Sequence, residues 1–166
     1  MSEVLAILNQ KYRGTRIPEI VMWIREYAVE SDIDNLIIGI SGGIDSSVTS
    51  TLCALTGHPT SVMMMPIVNS PPLAMKHAHW LHDHYDNVTS VVADLTSVYD
   101  AFVKCTSEDD ELSLANTRAR IRMMRLYHEA STRNGIVVGT GNKVEDFGVG
   151  FFTKYGDGGV DISPIA

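Results

Sequence analysis

Hydrophobic and polar positions follow two patterns along this chain. In the first, IPEIVMWIREYAVE over residues 17–30 repeats apolar side chains at helical spacing, which predicts an amphipathic helix. In the second, short apolar runs are bounded by glycine and polar residues. The first of these runs, NLIIGIS, has no polar alternation and therefore predicts a strand buried on both faces of a parallel sheet.

The two patterns then alternate to the end of the chain. Helices are predicted at about 45–55, 73–84, 96–105 and 112–132, and strands in TSVMMMPI, VTSVVADL and GIVVGTGN. The polar stretch TSEDDE, residues 106–111, predicts an exposed loop. Strands that alternate with helices indicate βαβ units, so the predicted fold class is α/β with a doubly wound parallel sheet. A chain of 166 residues has room for one such domain, residues 1–166.

Charge and composition narrow the class of partner. The formal net charge of −7 argues against nucleic acid, whose phosphates are held by clustered Lys and Arg. No apolar run approaches the ~20 residues that a membrane-spanning helix needs, and the first residues carry no secretory signal. We therefore expect a cytoplasmic protein that binds small molecules. Cys53 and Cys105 lie far apart with no CxxC pair, which predicts two buried thiols.

The turn ISGGIDSS directly follows the first predicted strand and opens a helix. Its glycines let the backbone approach an anion, and the helix amides supply positive potential, so a phosphate site is predicted at Ser41, Ser46 and Ser47. A Walker loop would carry a lysine here, whereas this turn carries Asp45. Because a carboxylate repels phosphate, Asp45 predicts a bridging Mg²⁺. The alternative is a capping Asp in an ordinary connection.

The long predicted helix LANTRARIRMMRLYHEA divides its polar residues between two faces. One stripe predicts the face toward the protein: Asn116, Arg120, Met123 and Tyr127. The other predicts a solvated face: Arg118, Arg122, Arg125 and Glu129. An inward Arg120 must find a partner because an unpaired buried charge is unfavourable. Two partners are open, an internal acid or an anionic substrate group.

Two further stretches are interpreted as structural. HAHWLHDH carries four of the six histidines, but two side chains at helical spacing leave a metal site without third and fourth ligands, so a polar helix surface is predicted. Met63, Met64 and Met65 on the second strand predict core filling.

Three motifs carry a resemblance to a known family. SGGIDSS is similar to the SGGxDS signature of the PP-loop ATP pyrophosphatases, which include synthetases for NAD, GMP, asparagine and argininosuccinate. GTGNKVEDFGVGFFTKYGDGGVDISPIA resembles the NAD synthetase signature closely, and NTRARIRM fits that family's NxxARxRM. The resemblance runs from Ile17 to Ala166 and points to ammonia-dependent NAD synthetases, since it includes no glutaminase domain. Relative to that family the chain is expected to lack the C-terminal portion.

The resemblance implies a Rossmann-like adenine nucleotide alpha hydrolase fold and a set of site residues. It implies Mg²⁺ on Asp45 and Glu145, and catalytic roles for these two acids and Lys154. The nicotinate adenine dinucleotide substrate is expected at Arg120, Lys154 and Asp161. ATP is expected at Gly39, Ile40, Ser41, Gly42, Gly43, Ile44, Asp45, Ser46 and Thr140.

The implied reaction has two steps, in which ATP first activates the nicotinate carboxylate as an acyl adenylate and ammonia then forms the amide. Family members also resemble one another in forming homodimers. Two alternatives remain open: another PP-loop amide ligase such as a GMP-synthetase-like domain, and a nucleotide-binding or dimerising module without catalytic activity.

Overall fold

The computed structural model describes residues 2–69, 71–107 and 110–166, with the side chains of residues 2–5 left aside. The helices are α1 Ser2–Lys11, α2 Ile17–Glu30, α3 Ile44–Leu55, α4 Pro72–His84, α5 Thr96–Val103 and α6 Glu111–Thr132. The strands are β1 Asn35–Gly39, β2 Thr60–Met64, β3 Val88–Val92 and β4 Gly135–Val137, followed by a π-helical segment, Val144–Val149. Within the described ranges no helix is both long and apolar enough to cross a membrane.

The strands form one parallel sheet in the order β3-β2-β1-β4. The chain first builds outward from β1 to β3 and then returns to place β4 on the other side of β1. This arrangement confirms the predicted doubly wound α/β fold. Its consequence is a switch point between β1 and β4, where the connections leave in opposite directions and a crevice opens at the carboxyl ends of the strands.

Helices cover both faces of the sheet. Leu36 and Ile38 of β1 face a core that includes side chains of α2, α3 and α4, whereas Ile37 faces a core with α5 and α6. This alternation follows from the two-residue period of a strand. Because both faces are covered, the three central residues of β1, Leu36, Ile37 and Ile38, are all apolar and fully buried.

The bounds of the predicted elements agree with the structure to within a few residues. Helix α6 begins at Glu111 because the Asp110 carboxylate accepts a hydrogen bond from the Ser113 amide, 2.8 Å away. The sequence analysis assigned no element to α1 or to the π-helical segment. Of the predicted exposed loop, residues 108 and 109 lie outside the described residues, and Thr106 and Ser107 are exposed.

The two cysteines have different surroundings. Cys53 on α3 is fully buried, as predicted, and burial raises the pKa of its thiol to about 12. Cys105 is exposed, so the second half of that prediction is wrong. The reason is that α5 ends at Val103 and the chain continues over the surface. The three methionines at the end of β2 are buried, as predicted.

The predicted solvated face of α6 needs correction. Glu129 is 7% exposed, and its carboxylate pairs with Arg125 at 2.8 Å and with Arg133. Arg118 donates a hydrogen bond to the Tyr99 hydroxyl. These groups are drawn inward because α5 packs alongside α6 and because the three charges near the end of α6 satisfy one another.

We expect Glu129→Gln to lower the free energy of unfolding by about 1–2 kcal/mol, because it leaves two partly exposed guanidiniums without their carboxylate. Burial raises the Glu129 pKa, but the hydrogen bonds and charges of Arg133 and Arg125 outweigh burial and hold it below its ordinary value. A depressed carboxyl pKa stabilises the fold above the unfolded pKa, and this contribution is lost as pH falls through the folded pKa. Urea unfolding at pH 7 and at pH 3 should therefore separate the variant from wild type only at pH 7.

Candidate active site

The glycine-rich turn lies where the fold places a crevice, at the carboxyl end of β1. The side chain of Ser46, 2% exposed, holds the turn together: its hydroxyl donates to the Gly43 carbonyl and accepts from the Ser41 amide. The Ser47 hydroxyl also donates to the Gly43 carbonyl, at 2.9 Å. These bonds fix a turn that leads directly into the first amides of α3, the arrangement that favours an anion.

The turn is packed against the start of α4. Gly42 has a φ of +89°, and a Cβ there would lie 2.9 Å from the backbone nitrogen of Ala74. Farther along α4, His77 Nε2 lies 3.0 Å from the hydroxyl of Ser50, which is fully buried on α3. The start of α4 therefore packs against the turn, and His77, one of the histidines of HAHWLHDH, connects α4 to α3.

The turn after β4 reaches the glycine-rich turn through one amide side chain. Asn142 Nδ2 donates to Asp45 Oδ2 at 3.1 Å, and Asn142 Oδ1 accepts from the backbone nitrogens of Val144 and Glu145, each at 3.0 Å. Asp45 and Asn142 are both half-buried. The two turns predicted to share one binding edge are thus joined by a direct hydrogen bond.

Carboxylates gather around this junction. Burial and the charges of Asp157 and Asp45 raise the pKa of Asp146. A side chain at Gly141 would overlap the Asp146 carboxylate, so the glycine makes room for that acid. Glu145, the second predicted Mg²⁺ ligand, is exposed on the π-helical segment. No group of three or more His, Cys, Asp or Glu that could hold a metal is found among the described residues.

A cavity of about 330 Å³ opens beside the turn, between the ends of β1, β2 and β4. Four of the predicted ATP-contact residues line it, namely Gly39, Ile40, Ser41 and Thr140. Most of the remaining lining is apolar, and it includes Met64 and Met65 at the end of β2 and Met123 and Leu126 of α6. A largely apolar pocket next to a turn whose geometry favours an anion suits a flat ring attached to phosphates.

Arg122 also lines this cavity, although the sequence analysis placed it on the solvated face of α6. Its Nε donates to the Met65 carbonyl at 3.0 Å, and burial together with the nearby charge of Arg118 lowers its pKa. Arg122 turns inward because the Met65 carbonyl lies beyond the end of β2, where a guanidinium can satisfy it. Its place in the quoted NTRARIRM motif was the only signal of this role in the sequence.

Arg120 and Asn116 connect α6 to the TKYGDGG loop. Arg120 is exposed, not buried as predicted, and its Nε donates to the Lys154 carbonyl at 3.1 Å. The Thr153 hydroxyl lies 2.8 Å from Asn116 Oδ1 and donates to it. Since the ion pairs found in the described residues do not include Arg120, the internal salt bridge that the sequence left open is not found there.

Asp161 is held on both carboxylate oxygens. Oδ1 accepts from the Tyr127 hydroxyl at 3.0 Å, and Oδ2 accepts from the Val137 amide of β4 at 2.7 Å. Burial, and secondly the Asp161 carboxylate, raise the pKa of Tyr127 to about 12. Asp161 therefore ties α6 to the end of the sheet, and its predicted contact with substrate stays a prediction.

The sequence analysis brought most of these residues to one end of the sheet, but it missed the roles of three that shape the site. Asn142 lies inside a quoted motif without an assigned role, and Asp146 directly follows the predicted ligand Glu145. Arg122 was assigned to the wrong face. A parallel sheet with a glycine-rich turn at its switch point and a cavity beside it defines this chain as an α/β protein of the Rossmann-like class.

Comparison with known proteins identifies the group within this class. The family model described as NAD synthase matches residues 16–166, and the chain belongs to that family. A curated relative, the NH(3)-dependent NAD(+) synthetase of Carboxydothermus hydrogenoformans, is 37% identical over 153 residues, covering 89% of this chain and 62% of the relative.

Two solved structures share the fold. The NMN synthetase of Francisella tularensis has a TM-score of 0.82 at 35% identity, over 90% of this chain and 63% of that one. The NH3-dependent NAD synthetase of Campylobacter jejuni has a TM-score of 0.81 at 32% identity, over 90% of this chain and 65% of that one. The chain thus spans less than two thirds of the length of these relatives.

Proposed function

We propose that this chain catalyses the ATP-dependent amidation of nicotinate adenine dinucleotide with ammonia, giving NAD, AMP and pyrophosphate. The observation that carries the proposal is the cavity at the switch point, closed on one side by the SGGIDSS turn and bordered by the TKYGDGG loop. Membership of the NAD synthase family supports the same reaction. The GMP-synthetase-like alternative has no comparable support.

The chemistry assigns two roles to the site. A nicotinate carboxylate oxygen attacks the α-phosphorus of ATP and pyrophosphate leaves, which converts a poor acylating group into an acyl adenylate. Ammonia then attacks the activated carbonyl carbon, and AMP leaves with the carboxylate oxygen. The protein has to position two anionic molecules and stabilise the charge of the leaving pyrophosphate, and we assign the second role to the α3 amides after Gly43.

Asp45 and Glu145 supply the hard oxygen donors that Mg²⁺ prefers. The residues present fit such an ion, because Asn142 hydrogen-bonds both the Asp45 carboxylate and the Glu145 amide and so joins two acidic residues at one edge of the sheet. When bound, Mg²⁺ would neutralise phosphate charge at the turn. Lys154 carries a positive charge on the neighbouring loop, where its backbone carbonyl is fixed by Arg120. We propose that Arg120, Lys154 and Asp161 border the dinucleotide.

The test is an assay of the purified chain with nicotinate adenine dinucleotide, ATP, Mg²⁺ and ammonium. Production of NAD and AMP in equal amounts, absent when the dinucleotide is omitted, is the expected result. ATP binding without AMP would contradict the proposal and favour the module without catalytic activity. Glutamine in place of ammonium is the matched control and should give no product.

Nicotinate mononucleotide is a second candidate substrate. The observation that favours it is the similarity to the Francisella tularensis protein, which is named an NMN synthetase. Both substrates present a nicotinate carboxylate to ATP, so the chemistry is unchanged and only the recognition of the adenylate half differs. Parallel assays with both nucleotides at equal concentration decide between them by the ratio of kcat/KM.

We expect Arg120→Ala to weaken dinucleotide binding about tenfold while leaving the melting temperature within a degree or two of wild type. Among the described residues the exposed guanidinium bonds only the Lys154 carbonyl, so its loss removes positive charge near an anionic ligand without leaving a buried charge unpaired. Isothermal titration calorimetry and thermal unfolding measure the two effects. Arg120→Lys should keep most of the affinity, and a large drop in melting temperature would instead indicate a structural role.

We also propose that the chain forms a homodimer, as the family resemblance implies. Large apolar side chains stay exposed around the π-helical segment, with Phe147 79% and Phe151 75% exposed. Exposed apolar surface of this kind is typical of an interface. Analytical ultracentrifugation at micromolar concentration tests this proposal.

A further inference from the structure

The side chain of Asn142 is the direct hydrogen-bonded link between the glycine-rich turn and the segment that carries Glu145. We infer that Asn142 is a positioning residue that holds the Asp45 carboxylate and the Glu145 backbone in register for one cation. This inference rests on the proposed function, because it concerns the Mg²⁺ ligands of that site. The juxtaposition is given by three hydrogen bonds of 3.0–3.1 Å from one amide group.

The first part of the argument concerns the orientation of Asp45. Asp45 stands in the first turn of α3, where a free carboxylate could rotate toward the helix amides and cap them. Asn142 Nδ2 binds Oδ2 instead and draws the carboxylate toward the turn after β4. Within the part of the chain that the structure describes, no hydrogen bond to Oδ1 is found. One oxygen is thus fixed by the protein while the other is left for a cation.

The second part concerns the start of the π-helical segment. The first amides of a helical segment lack partners within that segment, and Asn142 Oδ1 accepts from two of them, Val144 and Glu145. This fixes where the segment begins and hence where the Glu145 side chain leaves the backbone. π-helical segments are rare and mostly single turns, so a contact that fixes the first amides holds a large part of this one.

An amide is the side chain that can make both kinds of contact at once. Its nitrogen donates to the carboxylate while its oxygen accepts from backbone amides. A serine at this position can still accept from the amides but cannot reach Asp45, and an alanine does neither. The two substitutions therefore separate the anchoring of the segment from the link to Asp45.

The experiment measures ATP affinity by calorimetry with Mg²⁺ and with EDTA, and melting temperature without ligand, for wild type, Asn142→Ser and Asn142→Ala. We expect the ratio of ATP affinity with Mg²⁺ to ATP affinity with EDTA to fall about tenfold in both variants, as when an outer-shell partner of a metal ligand is removed. Only Asn142→Ala should also lower the melting temperature clearly. Asn87→Ala is the matched control, because Asn87 also joins two segments, through the Ala54 and His58 carbonyls, away from this site.

Each outcome decides the question. An Asn142→Ser variant with the full Mg²⁺ dependence of wild type overturns the inference and reduces Asn142 to a backbone anchor, while the proposed function stands. An Asn87→Ala variant that loses Mg²⁺ dependence as strongly as Asn142→Ser overturns it as well, because general destabilisation would then be the cause. A wild-type chain that binds ATP equally with and without Mg²⁺ contradicts the proposed metal site and the inference with it, whereas failure of the proposed function is shown separately by the absence of NAD and AMP.

Discussion

Replacing Gly42 by alanine is expected to abolish ATP binding and to lower the melting temperature by about 10 °C. The φ of +89° lies in the left-handed region, where an L side chain costs roughly 1–2 kcal/mol. An added Cβ would also lie 2.9 Å from the Ala74 nitrogen and 3.3 Å from Leu73 Cβ, so the backbone of α4 or the turn itself must move. Overpacking of this kind costs a further ~1–3 kcal/mol, and together these effects correspond to about 10 °C in a domain of this size.

Loss of ATP binding follows because the turn presents its amides only in this conformation. The Ser46 and Ser47 hydroxyls both bond the Gly43 carbonyl, so a displacement at position 42 is transmitted to the start of α3. Thermal unfolding and calorimetric titration with ATP and Mg²⁺ measure the two effects.

Gly14→Ala is the matched control for the Gly42 substitution. Gly14 has a φ of +78°, but nothing lies within 4 Å of an added Cβ, so this variant carries the backbone strain without the overlap. It should lose a few degrees at most and bind ATP normally. If Gly42→Ala binds ATP like Gly14→Ala, the turn does not hold phosphate and the proposed site is wrong.

The parallel sheet was predictable because its strands are short, apolar and separated by helices of ordinary length. A strand such as NLIIGIS, buried on both faces, has few alternatives once helices flank it on either side. The same alternation of strands and helices did not predict α1, which lies two elements ahead of the first strand. It also could not give the π-helical segment, because a single helical turn after GTGN depends on one capping contact, that of Asn142.

The faces of α6 show where periodicity reaches its limit. Stripes through Arg120 and through Arg122 both repeat at helical spacing, and the sequence pattern placed the first inward. In the structure Arg122 is half-buried because the Met65 carbonyl lies within its reach, and Arg120 is exposed because the Lys154 loop stays at the surface. Both outcomes depend on loops that contact α6 only in the folded chain. The spacing of residues along one helix cannot predict these contacts.

The motifs predicted where the candidate site lies better than they predicted its contacts. SGGIDSS and TKYGDGG both border the cavity at the switch point. Asp161, expected at the substrate, has both oxygens occupied by Tyr127 and Val137, so in this structure its contacts are with the fold. A carboxylate that ties a helix to a strand edge can look, in sequence, the same as one that binds a ligand.

Asp45→Ala is expected to remove the Mg²⁺-dependent part of ATP binding, a loss of about 100-fold or more. Loss of an outer-shell partner of a metal ligand costs roughly 10- to 100-fold, and loss of the ligand itself should exceed that. The effect on the fold should be small, because Asp45 contributes one hydrogen bond to Asn142 and about 0.3–1 kcal/mol as an acid in the first turn of α3.

Glu111→Ala is the matched control, since Glu111 is also an acid in the first turn of a helix and is exposed away from the cavity. Both variants lose the favourable interaction of a carboxylate with the helix dipole. A decrease in melting temperature that is common to both variants therefore measures this interaction. Affinities for ATP with Mg²⁺ and with EDTA then isolate the role of the cation. If Asp45→Ala keeps the Mg²⁺ dependence of wild type, Asp45 is only a capping acid in an ordinary connection. Its position beside the phosphate turn would then have no bearing on metal binding.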